Sequence, residues 1–128
     1  MAWLLREGEV LAAIEVASTR GARRRGLLGR DGIDGALLLR PAHSVHTLNM
    51  RFPIDVAYCA PREPAAMSRT GTEIERADLV APLTVLEIVT MARFRVGRPR
   101  LKASCVIEAE AGAFERWGLR PGDPLEVR

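Results

Sequence analysis

Lysine is almost missing from this chain: Lys102 is the only one, and arginine supplies the rest of the positive charge. Guanidinium groups are forked donors suited to carboxylate and phosphate oxygens, so the skew favours anion contacts over point-charge attraction. Aromatic residues make up only 5% of the chain, too few for a surface that stacks bases, and nucleic acid is not the expected ligand. Two cysteines, Cys59 and Cys105, are too few for the disulfide framework of a small secreted scaffold. Each sits in an apolar run and reads as a buried thiol, with a disulfide between the two as the alternative that spacing alone does not place. No apolar run approaches the roughly 20 residues that cross a bilayer, so no membrane span is expected, and no membrane is expected as a partner. "MAWLLREGEV" turns polar after five residues and does not read as an export leader, which predicts a cytoplasmic, reduced protein. There is no Gly-rich phosphate loop, dinucleotide fingerprint, paired-cysteine zinc knuckle or Gly-x-Ser-x-Gly turn. Neither a cofactor nor a metal is expected.

What remains is an ordinary globular composition over 128 residues, 48% hydrophobic and 27% charged, with formal net charge +3. That length fits one domain spanning 1–128, able to bury a core without a metal or disulfide. "WLLR" and "VLAAIEVA" read as strands joined by a turn at "EGE". Ser18 and Thr19 offer hydroxyls at the start of a short helix in "TRGARRRGLLG", Gly29 closes it, and Gly21 and Gly26 weaken it within. "ALLLR" reads as a compact apolar run that Pro41 ends, "IDVAYC", "TVLEIVTMARFRV" and "ASCVIEAEA" as further strands, "LRPGDPLEV" as a turn followed by a terminal strand, and "AGAFERWG" as a second short helix. Val56 and Tyr58 should share one strand face. In the long strand Arg93 and Arg95 should share a face, with Phe94 turned into the core. Residues 60–83 hold three prolines, Pro61, Pro64 and Pro82, and read as a long mobile loop, with a brief strand or helical turn over Thr72–Leu79. The fold class is therefore mainly β, of α+β type, a single small barrel or sandwich with two short helices.

Polar groups concentrate in "SVHTLNMRFPIDV", residues 44–56. Asp55 stands within an apolar strand, where an unpaired carboxylate is costly. It either pins a turn, with every oxygen paired, or keeps an oxygen facing a cleft; the structural role is the favoured one. His46 beside Asp55 is the best available acid–base pair, since imidazole titrates near neutrality. His43, His46 and Cys59 make only a poor metal set, and Ser44 and Thr47 lack the setting of a nucleophile.

Five landmarks fall in one order: "GLLGR" from Gly26, "GALLL" from Gly35, "NMRFPIDVAYC" from Asn49, "VIEAEAG" from Val106 and "GLRPGDPLEV" from Gly118. The series resembles the bacterial and archaeal family called domain of unknown function 192, over most of the chain from Thr19 onward. The resemblance implies one small β-rich domain with no assigned activity. Thr19, Arg23, Gly26, Leu27 and Arg30 match the family pattern of the first helix. Asn49, Pro53 and Asp55 match its central segment, in which His46 takes a tryptophan position and Met50 a threonine position. Glu108 and Gly112 match the late strand, and Gly122 and Asp123 the last turn. The chain departs from the family where 60–83 replaces a tight Asp-Gly hairpin, and in reading without the export signal many members carry.

Three functions are compatible with these residues. The first is a non-enzymatic binding module for a small polar or anionic ligand or a partner segment, with Thr19, Arg23, Arg30, His46, Asn49 and Asp55 around a cleft. The second is a hydrolase-like or proton-transfer enzyme using His46 and Asp55. The third is an interaction protein whose Arg93–Arg95 edge meets an acidic partner or nucleic acid. A monomer or weak dimer is expected.

Overall fold

The computed structural model describes residues 2–62 and 82–128. Seven strands run β1 (Ala2–Arg6), β2 (Glu9–Ala17), β3 (Ala36–Leu39), β4 (Ile54–Pro61), β5 (Leu83–Met91), β6 (Cys105–Glu110) and β7 (Pro124–Val127). Among the described residues two short helices join them, α1 (Arg20–Arg25) after β2 and α2 (Ala113–Trp117) after β6. The strands close into a barrel in the order β1-β2-β3-β6-β4-β5-β7. Of the two architectures the strand pattern allowed, the barrel is the one adopted.

Local chemistry explains the elements. Glu7 (φ 51°) and Gly8 (φ 84°) both have positive φ, so a two-residue turn matching the strand twist joins β1 to β2. The β2–β3 pair is parallel, with Ile14 opposite Ala36 and Ala17 opposite Leu39. A parallel neighbour needs a crossover, and residues 18–35, containing α1, provide it. Gly35 opens β3 where no side chain fits: a Cβ there would stand 2.2 Å from the Ala13 carbonyl oxygen.

Alternation along the strands builds two cores. The interior cluster includes Leu4, Ile14, Leu38, Ala57, Val85, Ile107 and Leu125, with Phe114 and Leu119 of the α2 region packed against it. The outer cluster includes Leu37, Leu39, Val56, Tyr58 and Val106, covered by Leu27, Val45, Met50 and Phe52. Val56 and Tyr58 share a face as expected. Strand β3 is buried along its whole length, as are Ile54–Cys59 of β4 and Cys105–Ala109 of β6, so this side of the barrel has a second layer. Cys59 and Cys105 are free, buried and opposite one another across β4–β6.

Two expectations fail here. The long strand ends at Met91, so Arg93 and Arg95 do not share a strand face. Phe94 does not enter the core; it has φ 59° and is half exposed. The cause is Thr47, which is fully buried. Its hydroxyl donates to the Ala92 carbonyl at 2.6 Å and accepts from the Arg95 amide at 2.8 Å. Its backbone N–H reaches the Arg95 carbonyl at 2.7 Å, and its carbonyl accepts from the Phe94 amide at 2.9 Å. The chain at 92–95 therefore turns around Thr47 instead of extending β5. The ends of the proposed loop 60–83 are also ladder: Ala60 pairs with Thr84 and Pro61 with Leu83. Most of that loop, with the element expected over Thr72–Leu79, lies outside the described residues.

Replacing Thr47 by valine keeps its shape but leaves the Arg95 amide and Ala92 carbonyl without their hydroxyl partner. The expected loss is about 2 kcal/mol in urea unfolding, and Thr47→Ser should recover most of it.

Candidate functional site

Neighbouring residues on a strand point to opposite faces, and this separates the polar groups of the central segment. Asp55 pairs with Ala109 across β4–β6, on the interior side, while Val56 pairs with Glu108 on the outer side. Asp55 is buried at one end of the barrel. Its Oδ1 accepts from the Thr90 hydroxyl at 2.8 Å, and its Oδ2 from the amides of Gly112 at 2.9 Å and Phe114 at 3.1 Å. Gly112 stands at the N-cap position of α2 and brings no side-chain cap of its own. Asp55 supplies that cap from another strand, satisfying amides that the helix start leaves unpaired. At the other end Arg6 donates to the carbonyls of Trp117 and Gly118. Asp55 is thus a structural carboxylate with both oxygens paired. It also lines a broad open hollow of about 430 Å³ with Thr90, Phe114, Leu119 and Arg120.

A second hollow lies on the outer face, over β3 and β6. It is small, about 70 Å³, room for roughly five water molecules at ~15 Å³ each. Glu108 forms its floor between Leu37 of β3 and Val56 of β4. Only 4% of Glu108 is exposed, and among the described residues its carboxyl has no hydrogen-bond partner. Burial pushes its pKa up to about 7, so the group is partly protonated at neutral pH. Gly26, at the end of α1 with φ 48°, lies over it, and a Cβ there would sit 3.7 Å from Oε1. Arg23, Arg24, Arg25, Ser44 and His46 complete the polar rim, with Leu27, Leu39, Val45 and Met50 as apolar wall.

The six residues expected around one cleft divide between places. Arg23 and His46 line the outer hollow. Thr19 does not line it; its Oγ1 accepts from the Ala22 amide at 3.0 Å and caps α1. Arg23 fixes the same helix to the strand ends, donating to the carbonyls of Ser18 at 2.7 Å and Arg40 at 3.4 Å. Arg30 is held away by a two-pronged contact with Glu15 at 2.7 and 3.0 Å. Asn49 is exposed in a left-handed turn with φ 62°. Asp55 is on the opposite face of the sheet, so no His46–Asp55 pair forms.

The arginine edge is also rearranged: the Arg93 guanidinium lies 5.2 Å from the Phe94 ring centroid, and Arg95 turns back on the carbonyls of residues 93 and 94. Glu108 and the wall around it were missed as a site, because a glutamate in an alternating strand reads as solvent-facing. The match of Glu108 to the family pattern was the available signal.

Ser44 and His46 both line the outer hollow, but no hydrogen bond joins them to each other or to Glu108 among the described residues. His46 Nδ1 already accepts from the Leu48 amide at 3.3 Å. Cys59 is on the interior face, and its thiol is pushed well up by its hydrogen bond with Cys105 and by burial. No three His, Cys, Asp or Glu side chains gather as a metal site among the described residues. No described helix is long and apolar enough to cross a membrane.

The closed barrel with its second outer layer is a fold shared with solved structures. A protein of unknown function from Novosphingobium aromaticivorans DSM 12444 is similar with a TM-score of 0.63 at 17% identity, covering 97% of this chain and 81% of that one. A protein from Sinorhizobium meliloti 1021, described as a "putative transcription regulator", is similar with a TM-score of 0.68 at 19% identity, covering 98% and 91%. At such identities the likeness concerns the fold. No curated protein matches the sequence. Residues 3–127 match the family described as Uncharacterized ACR, COG1430. The chain belongs to this family, DUF192.

Two substitutions separate the two carboxylates. Asp55→Ala should cost on the order of 3 kcal/mol, because two amides at the start of α2 lose a charged acceptor, and Asp55→Asn should cost less; chemical denaturation measures both. Glu108 has the opposite signature. Its folded pKa, about 7, lies above the ordinary glutamate value of 4.5, so the folded state holds the proton more tightly. Stability is then lost as pH rises from about 4.5 through 7, by on the order of 3 kcal/mol. Glu108→Gln should match the wild type at low pH and exceed it above pH ~7 by about that amount, in urea titrations run across the range.

Proposed function

We propose that this protein is a non-enzymatic binding module whose ligand places a small oxygen-bearing anionic group on Glu108 in the outer hollow. The observation that carries this reading is a carboxyl group, 4% exposed, that meets a hollow without a protein partner among the described residues. Burying a carboxyl group in such surroundings is costly unless something hydrogen-bonds to it. In its protonated form Glu108 donates one hydrogen bond to a ligand oxygen. The arginines of α1 give the rim a positive potential, and their forked donors suit carboxylate or phosphate. The size of the hollow restricts entry to the head of a ligand, the remainder lying across the rim. Among the described residues no hydrogen bond joins a nucleophile to a base in the hollow, and His46 and Asp55 lie on opposite faces of the sheet, which supports binding over turnover.

Thermal shift with inorganic phosphate, short carboxylates and neutral sugars tests the reading. At a hundredfold excess over Kd, a bound oxyanion adds about 2.7 kcal/mol, a Tm rise of roughly ten degrees for a domain of this size. The rise should be larger at pH 6 than at pH 8, where ionised Glu108 repels an anion. It should also vanish in Glu108→Ala and shrink in Arg24→Ala. If no class raises the Tm at either pH, the proposal fails.

A further inference from the structure

We propose that the lobe at residues 92–102 docks on an anionic lipid surface, its apolar side chains entering the headgroup region and its arginines meeting lipid phosphates. The lobe presents apolar side chains to solvent at unusual exposure: Leu101 at 88%, Val96 at 73% and Phe94 at 50%, with Leu48 beside them at 41%. It is built, not frayed. Gly97 donates to the Val45 carbonyl at 2.7 Å and Arg100 to the His43 carbonyl at 2.8 Å, while Thr47 holds 92–95. The Arg100 guanidinium anchors the base, lying 4.3 Å from the Tyr58 ring centroid and paired with Glu87. A bulky residue at positive φ is an uncommon, strained conformation, and here it turns Phe94 outward.

Charge and pattern select the partner. No acidic residue occurs from Ile88 to Ile107, while Arg93, Arg95, Arg98 and Lys102 are all exposed there. Cations and apolar residues alternate singly, as Arg93-Phe94-Arg95-Val96 and Arg100-Leu101-Lys102. A protein groove is best met by a contiguous apolar ridge, and nucleic acid by stacking aromatics or grooved donors. The one aromatic of the lobe already carries Arg93 on its ring. Singly projecting aliphatic side chains between cations fit a bilayer surface, where apolar groups enter the acyl boundary and guanidinium groups stay with the phosphates.

Co-sedimentation of the full chain with phosphatidylcholine vesicles, with and without about one-third phosphatidylserine, at about 0.1 M salt tests this. Binding is expected to the anionic vesicles only. Val96→Asp with Leu101→Asp should lower partitioning at least tenfold. The charge-matched control Val10→Asp with Val16→Asp, on exposed positions of β2, should lower it far less. Each arginine removed at Arg93 or Arg95 should cost about fivefold. An unchanged Tm establishes that each variant folds. The proposal is overturned by no pelleting with anionic vesicles, by equal losses in the two aspartate pairs, or by duplex DNA or polyglutamate binding as tightly as the vesicles.

Discussion

The period-two alternation of β4 and β6 is the constraint on which the architecture rests. These strands are buried on both faces along most of their length, so each residue belongs either to the barrel interior or to the layer outside it. Asp55 falls on the inside and becomes the cap of α2. Glu108, aligned with the very next residue of β4, falls on the outside and becomes the floor of a hollow. A one-residue slip in register would exchange these environments and place a carboxylate among aliphatic side chains with no donor. The two acids therefore differ in role because of the pleat, and not because of their chemical type.

The parallel β2–β3 pair has an equally broad consequence. Every other strand pairing among the described residues is antiparallel. The single crossover forces the chain out over one side, and α1 with the turn after it is laid across β3 and β6. Thr19 and Arg23, which looked like ligand contacts, fix that crossover: one caps the helix and the other ties it to Ser18 and Arg40. They shape the hollow by holding Arg24, Arg25 and Gly26 around Glu108.

Much of the barrel was legible in the sequence. Strands with short, local turns announced themselves, as at Glu7-Gly8, and so did the two helices, with Thr19 before the first and Gly118 after the second, although the first stops at Gly26 and not at Gly29. What could not be read depends on contacts between distant segments. Nothing within "MARFRV" reveals that Thr47, more than forty positions away, takes its backbone hydrogen bonds and ends β5. Glu108 and Glu110 have the same parity and look alike in "VIEAE", yet one is buried and the other exposed. The difference lies in how far the outer layer extends, a matter of tertiary packing. For Asp55 the need for partners was legible, while their location in Thr90 and the start of α2 was not.

Closure of the barrel depends on its last strand. β7 is inserted between β1 and β5, with Val127 opposite Leu4 and Leu125 opposite Leu83. Until Pro124–Val127 has left the ribosome, the nascent chain has two open sheet edges facing one another across a gap. Such edges invite pairing with other chains, so synthesis confronts this molecule with an aggregation hazard that lasts until Pro124–Val127 emerges.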